Sequence, residues 1–213
     1  MSMNPPKLIL VDPIPGLCEA WEKHFAGLPH ASIALGRFEN LPVFDCIVSA
    51  ANSFGLMDGG VDAAITRFFG NDLQRTVQRR IQDEYLGEQP VGTSMIVETG
   101  HVAHPFLAHT PTMRVPMTIS RTDNVYLAMW AMLIAVRRHN QSSDRRIDVV
   151  ACPGLGTRAG QVPFQEAARQ MALAYRNFLD PPGALDWDLA GRRQTDIHFG
   201  GDLGFDLPRK IEE

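Results

Sequence analysis

At 213 residues, with 45% of them apolar and 21% charged, the chain has the balance of a soluble globular protein with a sizeable core, and one domain is the default expectation. A net charge of −4 argues against broad, non-specific nucleic-acid binding, which needs a basic face. Cys18, Cys46 and Cys152 are scattered and odd in number, so they imply neither a disulfide framework nor a zinc cluster; the opening MSMNPPKLILVD is too short an apolar stretch for a signal peptide, and no stretch approaches a membrane span. The expectation is a cytoplasmic chain with no metal, no cofactor and no membrane partner.

Lys7 to Asp12 reads as a short strand stopped by Pro13 and Pro15. Leu17, Trp21 and Phe25 then share one face of a helix that Gly27 and Pro29 close. Ala31 to Leu35 is a second strand, and after Pro42 a buried strand begins at Asp45. Gly60 to Phe69 has helical spacing, and Asn71-Asp72 is placed to cap a helix from Leu73 to Leu86. The charges on that helix, Arg75, Arg79, Arg80, Asp83 and Glu84, suit a solvated face. Val91 to Glu98 and Phe106 to Thr110 read as strands, with a loop rich in Pro, Thr and Met from Pro111 to Arg121. Asp123 or Asn124 can cap the helix YLAMWAMLIAVRRH, apolar nearly all round and basic at its C-terminal end, where the helix dipole favours cations. Ile147 to Cys152 is a continuous apolar strand of the doubly buried kind. A clean helix spans Phe164 to Phe178, and Pro181-Pro182-Gly183 marks a boundary. Beyond it the polar residues 184–213 offer one strand candidate, Thr195 to Phe199. Strands alternating with helices over residues 7–180 indicate a three-layer α/β domain.

Two strand–glycine-loop–helix units stand out, at residues 48–62 and 149–165. The first carries Asn52 at the strand end, then Gly55, Gly59 and Gly60, with Asp58 and Asp62 flanking the Gly-Gly pair. The second is Pro153-Gly154-Leu155-Gly156-Thr157-Arg158-Ala159-Gly160. Glycines let backbone N–H groups approach an anion closely, and a following helix N-terminus adds partial positive charge. In an open α/β sheet such loops converge outside the carboxyl ends of the strands. Two of them suit a ligand with two phosphates. Neither loop has the dinucleotide pattern G-x-G-x-x-G or the P-loop pattern G-x-x-x-x-G-K-[ST], so the usual NAD and ATP readings fail on spacing. By residue type alone, Asp62 also fits a first-turn helix acid and Asn52 a strand-end turn residue. His101, His104 and His109 are spaced for a metal, but loop histidines beside a strand are more often solvated or satisfied by the core.

IVSAANSFGLMDGGVDAAI resembles the macrodomain signature, in which a strand ending in N-A-A-N leads through a glycine-rich loop to V-D at a helix start. PGLGTRAGQVPFQEAA is similar to that family's second ligand loop, and His109-Thr110 to its strand ending in H-T. The resemblance covers roughly residues 31–180. It implies a three-layer α/β/α fold with a central mixed sheet, made by residues 1–180, with 7–27 as an added strand and helix, 31–180 as the core and 181–213 as a C-terminal extension.

The resemblance further implies a pocket for ADP-ribose or a related ADP-ribosyl metabolite of the Appr-1''-p-processing kind. N–H groups of Gly59, Gly60 and Val61 would hold the diphosphate on one side, and those of Gly156, Thr157, Arg158 and Ala159 on the other, with Gly160 beside the distal ribose. Asn52 falls on the residue that touches the distal ribose, and Asp62 on the one that orients a water in hydrolytic members. Hydrolysis of an ADP-ribosyl linkage or of O-acetyl-ADP-ribose is thus one implied activity, with the ADP-ribosylated molecule as partner. The departures are Ser49 for the first asparagine, Met57 and Asp58 for loop glycines, Arg158 for a glycine, Gly160 for an aromatic, and Arg37 where an aspartate usually meets adenine. They leave open a non-catalytic reader, or a macrodomain-like scaffold of phage-type assemblies with a retuned pocket.

Overall fold

A computed structural model describes residues 5–197. Its strands are β1 (Lys7–Asp12), β2 (Ala31–Leu35), β3 (Cys46–Asn52), β4 (Met95–Glu98), β5 (Phe106–Met113) and β6 (Val149–Cys152), joined in one sheet in the order β2-β1-β6-β3-β5-β4. Every pairing is parallel except that of β4 with β5. The sheet is therefore mixed, with its antiparallel strand at one edge. β1 is an interior strand, paired with β2 on one side and β6 on the other. Because β1, β3 and β6 run in the same direction, the chain leaves all three at one edge, where the glycine loops begin.

Alternation along the strands divides the apolar residues between two cores. Cys46 and Val48 of β3 face the larger one, built with α1 (Pro15–His24), α4 (Asn124–Ser142) and α5 (Phe164–Leu179). Ile47 faces the smaller one, closed by Ile65 of α2 (Gly60–Phe69) and by Leu73, Val77 and Ile81 of α3 (Asp72–Tyr85). Helices on both faces give the expected three-layer α/β/α arrangement. In α4, Met129, Met132, Leu133 and Val136 are all buried, which explains its nearly all-round apolarity: it lies between the sheet and α5. Burying each such side chain stabilises the fold by about 1.5–3 kcal/mol.

Several expected boundaries move. β4 starts only at Met95, because residues 89–94 form turns in which the N–H and the hydroxyl of Thr93 both bond the Pro90 carbonyl. β5 runs on through Pro111 to Met113. β4 begins opposite His109 and runs back toward Phe106, so beyond His109 β5 is paired with a strand on one flank only, and a proline removes no ladder bond on the other. Asn71 does not cap α3 with its side chain, and α4 likewise has no side-chain cap from Asp123. Instead the Thr122 hydroxyl accepts the Asn124 N–H at 3.3 Å, and Asn124 Nδ2 reaches back to the Thr112 carbonyl at 2.9 Å.

The largest correction is at the tail. Thr195 to Ile197 belong to a helix, α6 (Trp187–Ile197), and not to a strand; His198 and Phe199 lie outside the described residues. Asp186 accepts the Leu189 N–H at its start, and Arg169 of α5 donates to the carbonyls of Asp196 and Ile197 at its end. Those bonds satisfy helix-end groups that would otherwise lack partners. The tertiary contact to Arg169 was invisible in the sequence.

Candidate functional site

The first glycine loop is folded by its own side chains. At the end of β3, Asn52 Oδ1 accepts the N–H groups of Phe54 and Leu56 at 3.0 and 3.3 Å, and its Nδ2 donates to the Leu56 carbonyl at 2.7 Å. One amide hydrogen of Asn52 remains for another acceptor. Gly55 has φ +63°, and a side chain there would meet Val77 Cγ1 at 2.8 Å, so the loop lies close against α3. Met57, buried in the smaller core, pins the next turn. Its N–H is held by Gln74 Oε1 at 2.8 Å, and its carbonyl by the Thr66 hydroxyl at 3.1 Å. Asp58, Gly59 and Gly60 then emerge into solvent, Gly60 with φ +57°, and nothing lies within 4 Å of a Cβ built on either glycine. Among the described residues, the N–H groups of Gly59, Gly60 and Val61 find no acceptor.

The second loop is packed. A Cβ on Gly154 would come within 2.5 Å of Leu17 Cδ2, one on Gly156 within 2.8 Å of Val125 Cγ2, and one on Gly160 within 2.4 Å of the Gly156 carbonyl oxygen. Gly160 thus has no room for the aromatic that its place in the family pattern suggests. The loop is tied to β1 through Asp12, whose carboxylate accepts the N–H groups of Ile14 at 3.1 Å and Gly154 at 3.4 Å. Its carbonyls are used as well: Gly156 accepts from Val162, Arg158 from Gln161 and Gly160 from Ile119. Its amides are not. The N–H groups of Gly156, Thr157, Arg158, Ala159 and Gly160 have no acceptor among the described residues.

Both loops line one cavity of about 460 Å³, together with Asn52, Asp58, Asp62, Thr112 and Met113. All the residues expected at the site, Asn52, Gly59, Gly60, Val61, Asp62, Gly156, Thr157, Arg158, Ala159 and Gly160, are on its wall. The volume is in the range of small-molecule sites.

Asp62 sits in the first turn of α2 and is 5% exposed. The Ser49 hydroxyl donates to its Oδ1 at 2.6 Å. Burial pushes the carboxyl up to about 6, opposed by the Ser49 hydrogen bond and assisted by the nearby Asp58 charge. Ser49, fully buried on β3, is therefore committed to Asp62. Asp58 is exposed and forms no ion pair with Arg158 or any other described residue.

Beside Ser49, directly opposite it on β5, lies His109. Its Nδ1 is 2.7 Å from Gln89 Oε1, and Gln89 Nε2 donates to the His109 carbonyl at 3.2 Å. Because Oε1 only accepts, Nδ1 carries the proton and Nε2 is a bare acceptor without a partner. Burial pushes this imidazole down to about 3, so it is neutral. His101 and His104 stack on one another and, through His104, on Phe44. Gln74, Gln89 and Asp12 are supporting residues that sequence reasoning did not place, and it placed Ser49 only as a replacement for the family's first asparagine, not as the partner of Asp62. Only the coincidence of a buried polar residue in an apolar strand, as at Ser49, gave any signal.

The sequence pattern described as Macro domain matches residues 48–171. A protein of Aquifex aeolicus is 34% identical over 135 residues, which span 63% of this chain and 74% of that protein. A mutant of the Oceanobacillus iheyensis macrodomain, solved with ADPR, superposes with a TM-score of 0.58 at 21% identity, over 84% of this chain and 82% of that one. The same macrodomain solved with ADP gives 0.56 at 22% identity, over 67% and 73%.

Proposed function

The chain belongs to the macrodomain family, and from that premise we propose that its two-loop cavity binds ADP-ribose or a related ADP-ribosyl metabolite. The observation that supports this most is the two sets of backbone N–H groups with no acceptor among the described residues, one from each glycine loop, in residues that line a single cavity. Unpaired N–H groups beside a helix N-terminus favour phosphate, and two such sets suit a diphosphate. Gly59, Gly60 and Val61 hold it from one side, and Gly156, Thr157, Arg158 and Ala159 from the other. Asn52 spends its remaining amide hydrogen on the distal ribose, beside Gly160. In this reading residues 1–180 form the binding unit and 181–213 an extension.

Hydrolysis of an ADP-ribosyl linkage or ester extends the proposal. Asp62 orients a water and takes its proton as the water oxygen attacks. With its carboxyl near 6, it is mostly ionised at neutral pH and basic enough to accept a proton, the compromise a general base needs. Ser49 fixes the carboxylate from behind. Asp58 is the observation that favours the second reading, a non-catalytic reader or scaffold: an unpaired carboxylate on the cavity wall opposes a diphosphate.

Calorimetric titration of ADP-ribose into the wild type and into Gly60→Glu tests binding. Affinity that the folded variant loses is the expected result, and no heat with the folded wild type would sink the reading. Turnover lost in Asp62→Ala, with binding retained, then separates enzyme from reader.

A further inference from the structure

A second cleft, of about 200 Å³, opens off the cavity and shares Asp12, Gly60, Val61, Pro153 and Arg158 with it. Three arginines from three different elements line it: Arg37 ahead of the 3-10 turn Phe38–Asn40, Arg67 in the last turn of α2, and Arg158 in the second glycine loop. None of the three guanidinium groups makes a hydrogen bond or an ion pair among the described residues. Two carboxylates share the wall. Asp12 is turned to the N–H groups of Ile14 and Gly154, and Glu39 pairs with none of the arginines. Between the arginines the floor is apolar, from Val11, Pro13, Val61 and Ala64. The main cavity carries Asp58 and Asp62 on its wall, and its one arginine, Arg158, is shared with the cleft. The arginines of the two cavities are thus gathered in the cleft.

Guanidinium groups left without carboxylate partners around a concave surface are receptors for phosphate, which they grip through paired N–H donors. An uncharged nucleobase would fill the apolar floor but leave the three cations unanswered. We propose that this cleft takes a phosphomonoester on the base-proximal ribose, so that the preferred ligand is an ADP-ribose phosphorylated at its 2′ or 3′ hydroxyl on the adenosine side. This rests on the ADP-ribose reading of the main cavity and names the ligand class of the same site more narrowly.

The test is titration of the full chain with three probes, ADP-ribose, its adenosine-side 2′-phosphate and its adenosine-side 3′-phosphate, at low and at high salt. One of the phosphorylated probes binds about tenfold or more tightly than ADP-ribose, the gain expected of a charge-assisted contact, and the 2′ and 3′ arms show which hydroxyl carries it. The preference shrinks at high salt, because the arginines are exposed and screened. Arg37→Gln and Arg67→Gln each collapse the ratio of the two Kd values toward one. That ratio cancels any general effect of the substitutions on folding or on the diphosphate contacts. Equal binding of all three probes, or a preference that survives both substitutions, overturns this proposal and leaves the ADP-ribose reading standing. Binding of none of them by the folded chain overturns both.

Discussion

The two glycine loops have similar compositions, but the Gly59-Gly60 pair of the first and the glycines of the second have opposite physical reasons. In the second loop, Gly154, Gly156 and Gly160 are the consequence of packing: α1, α4 and the loop's own backbone come so close that a Cβ has no place to go. In the first loop, Gly59 and Gly60 face open space, and glycine at Gly60 answers a left-handed backbone and leaves access to the helix N-terminus. One loop is a rigid wall fastened to β1 through Asp12. The other is an exposed rim, fastened only as far as Met57. A glycine-rich segment can therefore mark either a buried constraint or an exposed binding edge, and composition does not distinguish them.

Substitutions can break this contrast at its strongest point first. Gly160→Ala places a methyl group against the Gly156 carbonyl oxygen and Ile119, and the backbone cannot give way as a flexible side chain would. It is expected to lower stability by about 1–3 kcal/mol, read as a fall in the midpoint of urea unfolding with an unchanged slope. A midpoint equal to wild type would show that the wall is not rigid. Met57→Ala tests the fastening of the rim. Loss of its buried side chain should cost about 2–5 kcal/mol and weaken ADP-ribose binding as well, since Asp58 to Gly60 lose their anchor; normal affinity at the lower stability would make the rim independent of its anchor.

Asp62→Asn comes next, and its effect has the opposite sign. The carboxyl is pushed from an ordinary value of 3.8 up to about 6 by burial. The folded chain therefore holds this proton more tightly than the unfolded chain, and stability falls as pH rises from about 4 to about 6. Above that window the wild type carries the whole cost of a buried charge. The asparagine variant should then be more stable by about 1–3 kcal/mol at pH 7.5, with the difference vanishing below pH 4. Unfolding curves at several pH values check this; a difference independent of pH would show that the carboxylate is not desolvated.

The smallest effect on stability is expected for Gly59→Ala. Its φ of −132° is open to any residue and no atom lies near the new methyl, so unfolding should change by less than about 0.5 kcal/mol. Ligand affinity should fall, because the methyl sits on the rim where a phosphate approaches. A stable variant with full affinity would remove Gly59 from the binding edge.

Much of the sheet was legible in advance because its signals are local. β1, β2 and β3 are short apolar runs bounded by proline, glycine or a polar turn, and α2, α3 and α5 show their buried stripes at helical spacing. Both loops, with Asn52 at a strand end and Asp62 in a first helical turn, were legible in position for the same reason. The elements that moved depended on distant partners. β5 can continue through Pro111 because β4 does not pair with it beyond His109, and the tail is helical where Arg169, from another element, closes its C-terminal carbonyls.

The sequence alone determined which segments are strands and helices and where their apolar faces lie, since periodicity and chain stiffness are properties of neighbouring residues, and it determined that two glycine loops lie at strand ends. Only the tertiary structure decided what each polar group is for. Ser49 is spent on Asp62, Asp12 on the second loop, and Gln89 on a neutral His109, while Arg37, Arg67 and Arg158 are left unpaired around one cleft. Burial and pairing set the charge state and the availability of such groups, and both arise from residues as far apart as Asp12 and Gly154, which no local pattern connects.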